Sequence, residues 1–383
     1  MKLAIISHTE HYRSPEGTLV GWGPTVNEIN HLLEIFDEIY HVAMFHDGPA
    51  PPSALPYRSD RIHVVFIPTV GGTGLWNKFK ILWHAPKTLK IVTQVLKKVD
   101  VFQLRTPMGI GVYMIPYLSL FVKTEGWYKY AGNWNQKGAP LGYALQRRML
   151  KWQSRKVTIN GFWEHQPKHH LSFENPCLSD ADIRLGARVR AEKDFGERLS
   201  FCFVGRLERE KGVERLIRAL LSLHADARSR IGKVHLVGEG KELPYFKSLA
   251  QTGTVDFVFH GALAKEEVYK VYQQSQVFVL PTSASEGFPK VIAEAMNFGC
   301  IPVVSQLSSI GHYIKPHVHG LLIHPVSEAV LADLIKKLLY LSETERRSFL
   351  DEVAPMVQKF TFSHYHQRLG NDILNTTFTG TTN

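Results

Sequence analysis

The stretch QVFVLPTSASEGFPKVIAEAMNFGCIPVVS, Gln276 to Ser305, decides the fold class. Val277 to Leu280 reads as a short, fully apolar strand, and Pro281 to Ser285 as a turn-rich loop. Pro289 suits the first position of a helix, where its missing N–H costs nothing. From Lys290 onward, Val291, Ile292, Ala295 and Met296 share one helical face, with Lys290, Glu294 and Asn297 as a polar strip beside it. Cys300 to Ser305 is again an apolar strand. A buried strand, a crossover helix and a second buried strand make one unit of a parallel sheet. Glu286 then stands on the loop leaving the carboxyl end of a strand, where open α/β sheets bind ligands. Glu294 lies inside the helix.

The same alternation continues on both sides. Strands LSFCFVG, KVHLVGEG and VDFVFHG alternate with helices VERLIRALLSLHAD, ELPYFKSLAQ and KEEVYKVYQQ. The first half is noisier but similar, with KLAIIS, EIYHVAMFH, RIHVVFIP, DVFQLR and KYAGNW as strands. Helices are expected near PTVNEINHLLEIF and over Lys87–Lys98. At 383 residues the chain is long for one core. Two doubly wound α/β domains are expected, residues 1–180 and 181–361, joined around Asn175–Arg190.

A 44% hydrophobic and 21% charged composition is that of an ordinary globular protein. The start, MKLAIISHTEHYR, has too short an apolar run for a signal peptide and reads as a first strand. No run of eighteen apolar residues marks a membrane span, and the TTFTGTTN tail reads as frayed. Cys177, Cys202 and Cys300 have neither disulfide-framework nor zinc-ligand spacing, so a reducing cytoplasm and no metal are expected. Residues 1–180 hold 20 Lys+Arg against 13 Asp+Glu, which points to an anionic partner. Nucleic acid is set aside, because no binding motif accompanies the charge.

FVGRLEREKG, Phe203 to Gly212, follows a strand and precedes a helix. Arg206 and Lys211 there, with the backbone at Gly205 and the positive helix end, could hold a diphosphate. They could equally be solvated cations paired with Glu208 and Glu210. Glu294 likewise has two readings. It could form an i,i+4 ion pair with Lys290, worth about 0.2–0.5 kcal/mol. Or it could accept both vicinal hydroxyls of a ribose, with Glu286 reaching a second sugar and the backbone of Gly287, Phe288, Pro289, Lys290 and Val291 facing phosphate oxygens.

Taken in order, FVGRLEREKGVERLIRAL, LVGEG, the run from VFHGALAKEEVYK to CIPVVS, and HGLLIHP resemble the second domain of family 4 glycosyltransferases. The resemblance is strong over Leu199 to Pro325. It implies the GT-B architecture, two Rossmann-like domains facing across a cleft, with a helix over about 362–375 returning to the first. It further implies a retaining, metal-independent transferase using a UDP- or GDP-sugar, with no cofactor required. Arg206 and Lys211 would hold the diphosphate, Glu286 the donor sugar and Glu294 the ribose. The backbone of Gly261, Ala262 and Leu263 would lie beside the base. An epimerase on the same fold, or a binding module without turnover, are the alternatives.

The first half resembles the family less. GTLVGWGPTVNEINHLL is similar to its first loop and helix, where Gly21 and Gly23 would let backbone approach a phosphate or acceptor. LRTP and YKYAGNW occupy acceptor-side places. The family's histidine is replaced there by Tyr130-Ala131-Gly132-Asn133-Trp134, so no catalytic histidine is carried over. His165 is a weak candidate, and His312 stands where relatives often have glutamate. The implied acceptor is a glycan or lipid-linked glycan in surface polysaccharide assembly. Leu75–Lys98, with six lysines, no acid and interleaved aromatics, reads as two pieces broken at Pro86 and suited to an anionic membrane surface.

Overall fold

The computed structural model describes residues 1–72 and 74–376. The chain divides into two compact units, Met1–Glu174 with the chain from Tyr365 onward, and Asn175–His364. Beyond Thr376, the expected frayed tail falls outside the described residues.

Unit 1 is built on nine strands. These are β1 (Lys2–Arg13), β2 (Leu19–Trp22), β3 (Glu38–Phe45), β4 (Ala54–Pro56), β5 (Ile62–Ile67), β6 (Val101–Thr106), β7 (Glu125–Tyr130), β8 (Val157–Ile159) and β9 (His170–Ser172). A parallel core runs β5-β3-β1-β6-β7-β8-β9, and β2 and β4 add an antiparallel flap at the far end of β1. Among the described residues of Met1–Glu174, five helices accompany it, α1 (Gly23–Leu32), α2 (Leu75–Trp83), α3 (Ala85–Leu96), α4 (Gly111–Leu120) and α5 (Leu141–Trp152), and the returning chain is helical over Phe362–Arg368 and Leu369–Leu374. Alternate residues of β1 feed opposite faces, as the strand period requires. Leu3 and Ile5 join Ile29 and Leu32 of α1 and Tyr365 of the returning chain. Ala4 and Ile6 join residues of α3, α4 and α5, with Ile81 of α2 packed against them. The expected break near Pro86 occurs at His84, and Pro86 lies in the first turn of α3.

Unit 2 is a six-stranded parallel sheet in the order β12-β11-β10-β13-β14-β15. Its strands are β10 (Leu199–Val204), β11 (Ile231–Val237), β12 (Asp256–Gly261), β13 (Val277–Leu280), β14 (Ile301–Ser305) and β15 (Leu321–Ile323). Its helices include α6 (Asp180–Glu192), α7 (Val213–Ser222), α8 (Ala225–Ser229), α9 (Leu243–Ala250), α10 (Lys265–Gln274) and α11 (Lys290–Asn297). The start of α6 is fixed by a reciprocal cap, with Ser179 Oγ accepting from Asp182 N and Ser179 N donating to the Asp182 carboxylate. In α7 the apolar stripe Val213, Leu216, Ile217 and Leu220 is wholly buried, as its 3.6-residue period requires.

Two local expectations need correction. Pro289 caps α11 rather than opening it, because its ψ of 119° is extended and the helix begins at Lys290. Asn297 is buried rather than part of a polar strip. Its amide donates to Asp182 O at 2.8 Å and its Oδ1 accepts from Arg190 at 3.1 Å, so α6 covers the side a helical wheel leaves open.

Candidate active site

The strand order of unit 2 has one switch point. The chain runs outward from β10 to β11 and β12, then returns to place β13 on the other side of β10. Loops at the carboxyl ends of such a strand pair diverge and leave a crevice. Here those loops are Gly205–Gly212 and Pro281–Pro289.

Backbone bonds hold the two loops together. Glu210 O accepts from Ser283 N at 2.8 Å and from Thr282 Oγ1 at 3.1 Å. Gly212 has φ +89°, and a Cβ there would stand 2.2 Å from Pro281 O, so only glycine permits this approach. Arg215 also donates to Pro281 O. This clasp places Lys211 Nζ 2.6 Å from Glu286 Oε1, across a separation of 75 residues. The lysine side chain is only 14% exposed and the glutamate 37%.

Arg206 differs. Its side chain is 71% exposed and pairs with Glu208 at 2.7 Å. One of the two expected cations is thus held inside the switch-point loops, and the other is a surface residue beside them. Gly205 N bonds Val237 O and Leu207 N bonds Glu239 O, which ties this loop to the end of β11. Gly261, at the end of β12, has φ +71° with open space where a Cβ would be, Ala262 is exposed and Leu263 packs on the core.

The loop after β13 is anchored by Phe288, which stacks on Phe360 at 4.7 Å and meets Tyr313 edge-on at 5.0 Å. Gly287 and Pro289 are buried beside it, while Lys290 and Val291 are half-buried. The N-cap residues of α7 and α11, Gly212 and Pro289, provide no side-chain cap. Glu294 sits within α11, 3.5 Å from the Tyr272 hydroxyl. Burial pushes its pKa above the ordinary carboxylate value, while Lys265 and Lys290 pull it back. The expected Lys290–Glu294 pairing is thus one of two lysine influences, and Tyr272 and Lys265 are partners that sequence spacing gave no means of finding.

Glu294 therefore weakens the fold when ionised. With its folded pKa above the unfolded one, the stability it contributes is present below the unfolded value and lost as pH rises through the folded value. Glu294→Gln should raise the Tm of the ligand-free protein at pH 7, by on the order of 2 °C. A thermal melt with no rise, or with a fall, would show that the carboxylate is well accommodated.

In unit 1 both candidate glycines have local reasons. A Cβ on Gly21 would meet the His11 ring at 2.8 Å, and one on Gly23 would stand 2.1 Å from Ser53 O. Lys129 of YKYAGNW is buried, with its ammonium 2.6 Å from Glu28, which also holds Arg105 at 2.8 Å. His165 is exposed and His312 half-buried. Sequence reading missed His8. Its Nε2 is buried and makes no hydrogen bond among the described residues, and burial with His46 nearby holds its pKa down to about 4.

Residues 188–350 match the family model described as glycosyl transferases group 1. That match lies within unit 2. An uncharacterized glycosyltransferase of Methanocaldococcus jannaschii is 30% identical over 39% of this chain and 39% of its own length. The lipopolysaccharide 1,6-galactosyltransferase of Escherichia coli is 26% identical over 47% of this chain and 49% of its own. The chain thus aligns with half or less of these relatives. Among solved structures, Anabaena HepE in complex with UDP superposes with a TM-score of 0.69 at 15% identity, covering 98% of this chain and 100% of that one. That likeness shows the fold to be GT-B across both units. The matched stretch contains Arg206, Lys211, Gly261, Glu286 and Glu294, whereas Gly21 and Gly23 lie in unit 1.

Proposed function

We propose that the protein is a retaining glycosyltransferase that moves a sugar from a UDP- or GDP-sugar to a glycan or lipid-linked acceptor. The reading is carried by the Lys211–Glu286 pair at the switch point of a glycosyl transferases group 1 domain. In the ligand-free protein each group neutralises the other. When the donor enters, Lys211 exchanges its carboxylate for diphosphate oxygens, and Glu286 is released to accept hydroxyls of the sugar. Arg206 adds a second cation at the rim, and the uncapped starts of α7 and α11 favour the same negative charge. As the glycosidic bond breaks, charge accumulates on the departing diphosphate, where a fixed, poorly hydrated cation stabilises it most. Glu294 holds the ribose, and the backbone of Gly261, Ala262 and Leu263 lies beside the base. No metal or cofactor enters this scheme.

The acceptor side is assigned to unit 1 and the donor side to unit 2. Similarity to a lipopolysaccharide galactosyltransferase supports an acceptor in surface polysaccharide or glycoconjugate assembly. Among the described residues no helix is long and apolar enough to cross a membrane. We place the protein in the cytoplasm, peripheral to the membrane that carries its acceptor.

Thermal shift against uridine, guanosine and adenosine diphosphates tests the donor site. A nucleotide at 100 times its Kd stabilises by about 2.7 kcal/mol, or roughly 5 °C or more for a protein of this size. Uridine or guanosine diphosphate should give the largest shift, and no shift with any of the three would remove the reading. Product analysis with the matching sugar nucleotide then separates transfer from epimerisation or simple binding.

A further inference from the structure

Helices α2, α3, α4 and α5 cover one face of the unit 1 sheet, and none contains an aspartate or glutamate. From Leu75 to Trp152 the sequence has 13 Lys+Arg against 2 acids, Asp100 and Glu125, which sit beside the starts of β6 and β7. This face also exposes large apolar groups, at the end of α4 (Leu120 and Phe121) and along α2 and α5. On α2, Trp76 is 79% exposed, and Phe79, Leu82 and Trp83 are exposed beside it. Phe79 lies between the two indoles, with ring centroids 6.2 Å from each. On α5, Leu141, Leu145, Arg148 and Trp152 recur at helical spacing along an exposed stripe. The Arg148 guanidinium lies 4.2 Å from the Trp152 ring.

Ile81 on the other side of α2 and Leu150 on the other side of α5 pack into the same core layer. The exposed stripes of both helices therefore point away from the sheet on the same side. Apolar groups left in water on this scale mark an interaction surface. Their interleaving with lysine and arginine, without acids, selects the partner. A second copy of this face would bring like charges together, and a nucleic acid would leave the leucines and most of the aromatic surface unmatched. An anionic bilayer takes both, with aromatic and leucine side chains at the acyl boundary and cations among the headgroups.

We propose that α2 and α5 together form an anionic-membrane docking face on unit 1. This deepens the proposed function, since it rests on the acceptor being presented at a membrane, and it extends the docking element from the α2 segment to a second, sequence-distant helix. Trp76, Phe79 and Trp83 enter the interface from one helix, and Leu141, Leu145 and Trp152 from the other. Lys80, Lys87, Lys90 and Arg148 supply the attraction to headgroups.

Flotation of the full chain with phosphatidylcholine vesicles, with and without about one third phosphatidylglycerol, tests this. Wild type should float with the anionic vesicles only, and release as salt rises from ~0.1 to ~1 M. Trp76→Ser/Phe79→Ser/Trp83→Ser and Leu141→Ser/Leu145→Ser/Trp152→Ser should each weaken binding by about tenfold or more. If either triple variant lowers the Tm, Lys80→Gln/Lys87→Gln/Lys90→Gln/Arg148→Gln replaces it and should give the same loss. No flotation of wild type overturns the proposal, and so does equal binding to neutral vesicles. Loss only in the α2 variant overturns the two-helix face, and capture of duplex DNA without vesicle binding assigns the face to nucleic acid instead. Nucleotide-induced thermal shift, run in parallel, reports on the donor site alone, so either reading can fail without the other.

Discussion

Lys211→Ala is expected to lower kcat/KM by about 10- to 100-fold while the protein stays folded. The estimate follows from a charge-assisted bond worth roughly 1.5–3 kcal/mol, at about 1.4 kcal/mol per decade of rate. Two features put Lys211 at the upper end. Its side chain is 14% exposed, so water replaces little of what is lost. Its removal also strands Glu286, whose carboxylate then opposes the entering diphosphate. Arg206→Ala should cost less, about tenfold or below, because a 71% exposed arginine paired with Glu208 is screened by solvent. Steady-state kinetics on both variants settle the ranking. Lys211→Ala/Glu286→Gln should be less impaired in nucleotide affinity than Lys211→Ala alone, since the stranded charge is gone. Wild-type kcat/KM in Lys211→Ala would mean that the lysine only closes the loops.

How much of this was legible in the sequence depended on distance along the chain. Strand, loop and helix between Val277 and Asn297 lie within one local period, so the alternation of apolar runs gave the parallel sheet and put Glu286 at a carboxyl edge. Lys211 was legible as a loop cation, but its partner was not. Glu208 and Glu210 are near in sequence, whereas Glu286 becomes near only through the Glu210–Ser283 clasp and the glycine at 212. Asn297 shows the same limit, since a helical wheel cannot reveal that α6 lies against it. Gly21 and Gly23 were read as sites of ligand approach, and what sequence could not show is that His11 and Ser53 already lie where a Cβ on each would stand. On unit 1, the basic aromatic run Leu75–Lys98 stood out because its residues are contiguous. The matching stripe on α5 is spread over twelve residues and looks like any amphipathic helix until its leucines and Trp152 are seen to be uncovered.

Glu286 and Glu294 should fail in different ways. Glu294 lies within α11, half-buried and 3.5 Å from the Tyr272 hydroxyl, in a setting fixed before any ligand arrives. A ribose held there is bound alike in the ground and transition states, so Glu294→Ala should mainly raise the donor KM. Glu286 is on a loop and is tied to Lys211; in the proposed site the entering diphosphate takes its place on the lysine. On that proposal its contact with the sugar would form only as the cation turns to the phosphates, which would link it to the reacting geometry. Glu286→Gln should therefore cut kcat by about ten- to a hundredfold and change KM little. Free nucleoside diphosphate separates the two roles, because it carries ribose and diphosphate but no sugar. By calorimetry its affinity should drop about tenfold or more in Glu294→Ala, where hydrogen bonds to a charged group are lost. In Glu286→Gln it should hold or rise slightly, since Lys211 no longer has a carboxylate to leave. A fall of equal size in both variants would place both glutamates on the nucleotide. A fall in Glu286→Gln alone would mean that the Lys211–Glu286 pair positions the lysine for the diphosphate.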